Sequence, residues 1–470
     1  MSDKSVSKNY DVAIIGAGTA GIFCAYEINK LNPDASIVII ERGKSIFNRA
    51  CPIVSGRTDK CIKCNPCAIM NGFGGAGAFS DGKFNFTTEF GGWLNEYMDD
   101  KKVMELIEYV DSVNVEFGAT KERYSTYTDE AKKIAKKALE HDMHLLMASV
   151  KHLGTEKNLQ ILQRIYEYLE YRVALICDVS VNDIVSNEDC TYSLNLSDGN
   201  KISCDYLVSA PGRSGAEWFA NECEKLGIPL SNNQVDIGVR VELPADVFES
   251  ITDTVYEAKL MYRTKQYGDK VRTFCMNPYG HVVSENVDGC ITVNGHSYSD
   301  PALRSKNTNF ALLVSNRFTE PFTEPYRYGK SIASFSNMLG GGVIVQRFGD
   351  LVKGVRTNEH RLKQSFTKPT LNATPGDLSL VLPKRHLDNI IEMIYALDKI
   401  APGTANYDTL LYGVEVKFYS SRIELSRDLE TPCKNMFACG DGAGVTRGLS
   451  QAAASGVHIA RTISARLSVK

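Results

Sequence analysis

Nowhere in the 470 residues is there a run of about 18 apolar side chains, so no helix is expected to span a bilayer. A strong charge of either sign is also missing. The net charge of −3 and the pI near 6.3 give no reason to expect nucleic acid or an anionic membrane as partner. The opening residues, MSDKSVSKNY, lack the apolar centre of a secretory signal. A cytoplasmic protein with reduced thiols is the expectation. There is no internal repeat, and low complexity is confined to the N-terminal tail. What remains is an ordinary globular composition, 43% hydrophobic, long enough for two or three units with real cores.

Residues 10–24 read YDVAIIGAGTAGIFC. Val12, Ala13, Ile14 and Ile15 form the short apolar run of a strand buried on both faces. Gly16, Gly18 and Gly21 fit G-x-G-x-x-G, and helical spacing follows through Ala25 and Ile28. A second apolar run, SIVIIERG, ends in Glu41, twenty residues after Gly21. Gly16 suits a tight turn, Gly18 a close approach to pyrophosphate, and Gly21 close packing of helix on strand. The helix start offers free N–H groups to phosphate, and Glu41 can accept from ribose hydroxyls. Arg42, next in the chain, joins the candidate cofactor contacts. Strand, turn, helix and spaced acid together predict a dinucleotide site, of FAD or NAD type.

Residues 434–461, KNMFACGDGAGVTRGLSQAAASGVHIAR, read as a short strand, Gly440-Asp441, a glycine-rich loop and a small-residue helix. This segment resembles the second FAD motif of the glutathione-reductase-like flavoproteins. The resemblance places Asp441 on the ribityl and pyrophosphate region. It aims the helix start, near Gly448 and Leu449, at the flavin pyrimidine ring. Residues 175–215 alternate strands with turns and end in YLVSAPG, similar to the meander and closing strand of that family. The resemblance puts Val181 at adenine and equates Ala210-Pro211-Gly212 with the closing motif, with proline where threonine is usual.

GFGGAGAFSDGKF, KHLGTEKNLQIL, TFCMNPYGHVVSE, TLLYGVEVKFYSSRI and GDGAGVTRGLSQAAASG resemble, more closely, the uncharacterised FAD-dependent dehydrogenases. That likeness runs over nearly the whole chain and implies fold and FAD rather than a substrate. The expected fold class is α/β. A Rossmann-like FAD-binding domain, a parallel sheet with a β-meander insertion, is joined by an α+β substrate or cap domain and a helical insertion. The expected boundaries are 1–95, 151–234 and 406–470 for the FAD domain, 96–150 for the helical insertion and 235–405 for the cap. The cap region holds no second G-x-G-x-x-G, so NAD(P)H is expected at most as a transient donor. A protein electron donor is the other option.

Thirteen cysteines do not suggest a disulfide framework in a chain of this length, and the scattered ones read as small buried hydrophobes. Cys51, Cys61, Cys64 and Cys67 are clustered, with the C-x2-C-x2-C of Cys61-Ile62-Lys63-Cys64-Asn65-Pro66-Cys67. They could hold a [4Fe–4S] cluster or zinc, or act as redox thiols with Lys63 favouring a thiolate, or have no redox role. The loop Gly72-Phe73-Gly74-Gly75-Ala76-Gly77 follows, and Gly74 and Gly75 are candidate cofactor contacts because backbone without Cβ can come close.

Candidate catalytic groups are Cys275, His152 and His281, with Tyr279 as a further proton donor; each also has a plain structural reading. Arg213 either reaches an FAD phosphate or pairs on the surface. The expected activity is hydride transfer between flavin N5 and a small organic substrate. Reduction of an activated double bond, as in the geranylgeranyl reductases, is one form of it. An iron–sulfur/flavin electron-transfer protein and a non-catalytic FAD-binding redox sensor are the alternatives.

Overall fold

The computed structural model describes residues 8–52, 55–58, 62, 64–80, 82–255, 257–287, 289–298, 300–319, 321–322 and 324–469. They form two compact units. The first takes the chain up to Ser125, then Ala148–Ser231, then everything from Ser420 on. The second takes Thr126–Met147 and Asn232–Tyr419.

The first unit is built on a parallel sheet. Its strands run in the order Ala174–Cys177, Ile37–Glu41, Lys8–Ile15, Lys201–Ser209. Met436–Ala438 lies parallel to the second half of Lys201–Ser209. The first half of that long strand pairs antiparallel with Tyr192–Leu196, which pairs with Val181–Ser186. The meander expected from residues 175–215 is therefore present and grows out of the same sheet. Val12 to Ile15 and Ile37 to Ile40 are buried, as central parallel strands covered on both faces require. The helices Thr19–Leu31 and Leu449–Leu467 pack closely. A Cβ at Gly456 would stand 2.1 Å from the Ala20 carbonyl oxygen, so glycine there sets their separation.

The second unit holds an eight-stranded sheet. Its order is Thr374–Pro375, Ile344–Arg347, Leu410–Lys417, Val235–Pro244, Asn307–Asn316, Lys270–Asn277, Leu260–Arg263, Met143–Leu145. Strand Val235–Pro244 is buried along nearly its whole length. Val235, Ile237, Val239, Val241 and Leu243 face a core shared with helix Lys384–Ile400. Asp236, Arg240 and Glu242 alternate with them and face the other way.

The expected boundaries change in two places. The stretch 96–150 is not one insertion. Helix Asp100–Glu116 buries Val103, Leu106, Ile107, Val110 and Val113 in the first core, whereas Ala131 and Ala138 of helix Asp129–Leu139 join the second. Strand Met143–Leu145 then pairs with Leu260–Arg263, which fixes that segment to the second unit. The return to the first unit comes at Ser420 rather than 406, because Leu410–Lys417 pairs on both sides within the second sheet.

His386, on helix Lys384–Ile400, is 4% exposed, and neither ring nitrogen has a hydrogen-bond partner among the described residues. Burial pushes its pKa down to about 4; Asp269 pulls it up and Arg385 pushes it down further. The unfolded chain therefore binds the proton that the folded chain refuses. Stability should fall as pH drops from the ordinary histidine range toward 4, by at most roughly 3 kcal/mol. His386→Leu should flatten that acid limb. Melting temperatures of both proteins between about pH 7.5 and about pH 5 read it; equal losses in the two would contradict it.

Candidate cofactor site

The candidate site in the first unit is assembled from turns that follow the parallel strands. The turn after Lys8–Ile15 starts with Gly16, at φ 98°. A Cβ there would meet the Ala210 carbonyl oxygen at 2.3 Å, and one at Gly21 would meet the Gly16 oxygen at 2.0 Å. Both glycines are thus required by backbone packing alone. Gly18 differs. It caps the helix Thr19–Leu31 with φ −75°, and a Cβ built on it meets nothing within 4 Å. Beside the start of that helix there is room for something else.

The loop 72–77 lies across this turn. The Gly74 amide donates to the Ala17 carbonyl at 2.8 Å, and a Cβ at Gly75 would be 3.1 Å from the Gly18 Cα. A Cβ at Gly77 would meet the Leu449 side chain at 2.8 Å. Gly74 and Gly75 thus lie against the opening turn, and Leu449 lies against Gly77 of the same loop. From the other side, a Cβ at Gly440 would meet Ala20, and one at Gly442 would meet the Gly212 oxygen at 2.6 Å. The segments 210–212 and 440–442 therefore close on the same turn. The Ala210 amide donates to the Ile15 carbonyl at 2.8 Å, and Gly212 has φ 63° with open space where a Cβ would go.

Neither helix start carries a side-chain cap or an acidic residue in its first turn. Leading N–H groups of an α-helix have no intrahelical acceptor, and the helix dipole makes that end positive. At the start of helix Leu449–Leu467 the Ser450 hydroxyl is buried and unpartnered among the described residues. Two uncapped helix starts, open space at Gly18 and an orphaned hydroxyl fit an anionic dinucleotide with a polar ring system. Asp441 is half-buried; its carboxylate accepts from Thr446 Oγ1 at 2.9 Å and lies 3.8 Å from Arg213 Nε. Arg213 thus pairs with an acid of the site. Val181 is buried at the start of the meander.

Glu41 has a larger part in the site than its spacing suggests. It is 6% exposed. Its Oε2 accepts from the Ala17 amide at 2.9 Å, and Oε1 accepts from the Gly43 and Gly72 amides at 2.8 and 2.9 Å. Three of roughly four acceptor positions are filled by backbone, leaving about one for a ribose hydroxyl. Arg42 donates to the Ser214 carbonyl at 3.3 Å.

Arg49 escaped the sequence reading. It is 7% exposed and donates to the carbonyls of Ala68, Ile69, Phe73 and Gly75 at 2.7 to 3.1 Å, with a longer bond to Gly72. Burial lowers its pKa to about 10, while Glu41 and Cys67 pull it back up. No local pattern marks it, because its acceptors lie 19 to 26 residues further along the chain and none is a side chain.

Cys61 and Lys63 lie outside the described residues. Cys51, Cys64 and Cys67 are half-buried, and among the described residues no group of three or more His, Cys, Asp or Glu could hold a metal ion. The scattered Cys24, Cys204, Cys223, Cys290 and Cys439 are buried. Burial pushes the thiols of Cys204, Cys223 and Cys439 up to about 12, so these are inert packing groups.

The catalytic candidates fall in different units. His152 ends strand Ser149–His152 of the first and is exposed. Cys275 and His281 belong to the second. Cys275 has φ 47° where the register of Lys270–Asn277 shifts, and its carbonyl accepts from Arg240 Nη2 at 2.5 Å. Its sulfur lies 3.8 Å from Asn277 Nδ2. The His281 ring bonds to the Leu303 carbonyl at 2.9 Å and meets Tyr298 edge-on. Tyr279 donates to Glu249 at 3.1 Å.

Residues 234–418 match a known family model. It is described as FAD-dependent protein, C-terminal domain-like. The matched segment follows the larger piece of the second unit almost residue for residue. No curated protein matches the chain. Among solved structures, the chain resembles L-proline dehydrogenase from P. horikoshii, at 12% identity over 97% of this chain and 94% of that one, TM-score 0.38. It resembles glycine oxidase from Geobacillus kaustophilus at 11% identity over 98% and 94%, TM-score 0.35. It resembles quinol fumarate reductase of E. coli at 13% identity over 98% and 71%, TM-score 0.44. Likenesses this weak carry no argument about activity.

The glycines separate folding from binding. Gly21→Ala should lower the melting temperature, since overpacking of this kind costs about 1–3 kcal/mol. Gly18→Ala should melt like the wild type and bind FAD more weakly, by about tenfold or more. Melting curves and FAD titrations of both variants check this; a Gly18→Ala protein with full FAD affinity would show that the open space is not where the dinucleotide lies.

Proposed function

We propose that the protein is an FAD-dependent oxidoreductase of the glutathione-reductase-like type, acting on a small organic substrate. The observation that carries this reading is the open face at Gly18, bounded by a helix start without a cap and overlain by the glycine loop 72–77. The family model's FAD-dependent description supports it from an independent part of the chain.

In this reading the amides at the start of helix Thr19–Leu31 hold the pyrophosphate, and Glu41 offers its remaining acceptor position to the ribose. Asp441 takes the ribityl region, with Arg213 balancing its charge. The positive end of helix Leu449–Leu467 favours negative charge held near the pyrimidine ring. Bound FAD supplies hydride exchange at N5. The second unit is read as the substrate domain, with Cys275 and His281 as its candidate proton-holding groups. Reduction of an activated double bond is the form of the reaction proposed, with NAD(P)H or a protein as the electron donor.

Purified protein should release stoichiometric FAD on denaturation, or take it up when it is added. Anaerobic NADPH or NADH should bleach the bound flavin if nicotinamide is the donor, and dithionite should do so in either case. Protein that neither carries nor accepts FAD would overturn the reading.

A further inference from the structure

We propose that the charged face of the second unit's sheet binds the carboxylate of an organic-acid substrate, through Arg272 and Lys417, whose charged ends both lie beside the Phe274 ring. This deepens the oxidoreductase reading above and rests on it.

The register builds the arrangement. Arg272 aligns across the sheet with Leu313, then Gly238, then Glu415. Along the strand, Phe274 aligns with Ala311, then Arg240. Lys417 stands opposite Asp236. Period-two alternation puts these residues on the face turned away from the helix-covered core. Gly238, without a side chain, and Ala311, with a short one, lie between the charged positions. Arg272 and Lys417 come from strands separated by two others, yet both reach one ring. The Arg272 guanidinium is 4.8 Å from the Phe274 centroid, and Lys417 Nζ is 6.0 Å from it.

Two cations drawn to one ring repel each other and need acidic partners nearby. Arg272 Nη2 meets Asp236 at 2.6 Å and the Tyr419 hydroxyl at 3.0 Å. Lys417 Nζ is 3.0 Å from Glu415, and Glu415 also takes Arg240 Nη1 at 2.9 Å. Arg240, Arg272 and Lys417 thus face Asp236, Glu415 and, beyond Arg240, Glu242, three positive charges against three negative. Glu242, beyond Arg240 on the same strand, is engaged by Thr370, Asn307 and Tyr412.

Arg240 is spent on Asn309, Glu415 and the Cys275 carbonyl. Arg272 is not: among the described residues its hydrogen bonds use Nη2 alone. Its side chain is 17% exposed and that of Lys417 13%. Contacts made there are less screened than on an open surface. The unused guanidinium and ammonium donors suit the two oxygens of one carboxylate, and the Phe274 ring suits the apolar body attached to it.

The test uses holoprotein and two neutral-or-charged pairs of probes: cinnamate against cinnamamide, and crotonate against crotonamide, each titrated by calorimetry. The acid should bind about tenfold or more tightly than its amide in at least one pair. Lys417→Met and Arg272→Lys should each cut acid binding by about tenfold and leave amide binding and flavin content as in the wild type. Equal binding of acid and amide, no binding of either, or variants that bind the acid normally would overturn the proposal. The acid–amide comparison needs only wild-type protein, so it stands even if a variant fails to fold. Failure of the FAD reading shows separately, as wild-type protein that holds no flavin.

Discussion

One buried carboxylate gathers the candidate cofactor site. Glu41 ends the second parallel strand and accepts amides from Ala17, Gly43 and Gly72, which belong to three different turns. A hydrogen bond to a charged group contributes about 1.5–3 kcal/mol, so this one side chain can set the positions of turns that have little apolar surface of their own. Arg49 does the complementary work on the same loop. Glu41 takes the Gly72 amide, and Arg49 takes the carbonyls of Phe73 and Gly75. The loop 72–77 is held by opposite charges acting on opposite ends of its peptide dipoles. Its one large side chain, Phe73, is buried against Tyr166, and its glycines are left free to lie against Gly18.

The second unit uses charge differently. Its central strand, Val235–Pro244, presents alternate apolar and ionic residues, and both faces are buried. The apolar face is an ordinary core against helix Lys384–Ile400. The ionic face holds Asp236, Arg240 and Glu242 out of water, an arrangement that hydrophobic replacements of similar size often match or exceed in stability. On the carboxylate-binding proposal this face serves binding rather than packing. The strained Cys275 backbone, the spare donors of Arg272 and the Lys417 ammonium all belong to this face, and none of them is needed to close the core.

What was legible in the sequence was local. Gly16, Gly18 and Gly21 could be given separate tasks because strand, turn and helix are contiguous, and the packing distances bear out the two tasks that concern backbone. The small-residue helix after Gly448 was legible for the same reason. Long-range relations were not. Glu41 read as a ribose ligand, because its spacing from the turn says nothing of Gly72, thirty-one residues on. Arg49 left no trace, since its partners are carbonyls. VDIGVRVEL showed its alternation plainly, but the neighbours that surround Asp236 and Arg240 come from strands near residues 272, 309 and 415. The segment 126–147 could not be assigned to its unit without its pairing to Leu260–Arg263.

Glu41→Ala tests the central claim most directly, read by hydrogen exchange at the Ala17, Gly43 and Gly72 amides together with FAD affinity. The account predicts faster exchange at those three amides, unchanged protection in the strands Lys8–Ile15 and Lys201–Ser209, and FAD binding weaker by about a hundredfold. Unchanged exchange at the three amides with full FAD affinity would contradict it.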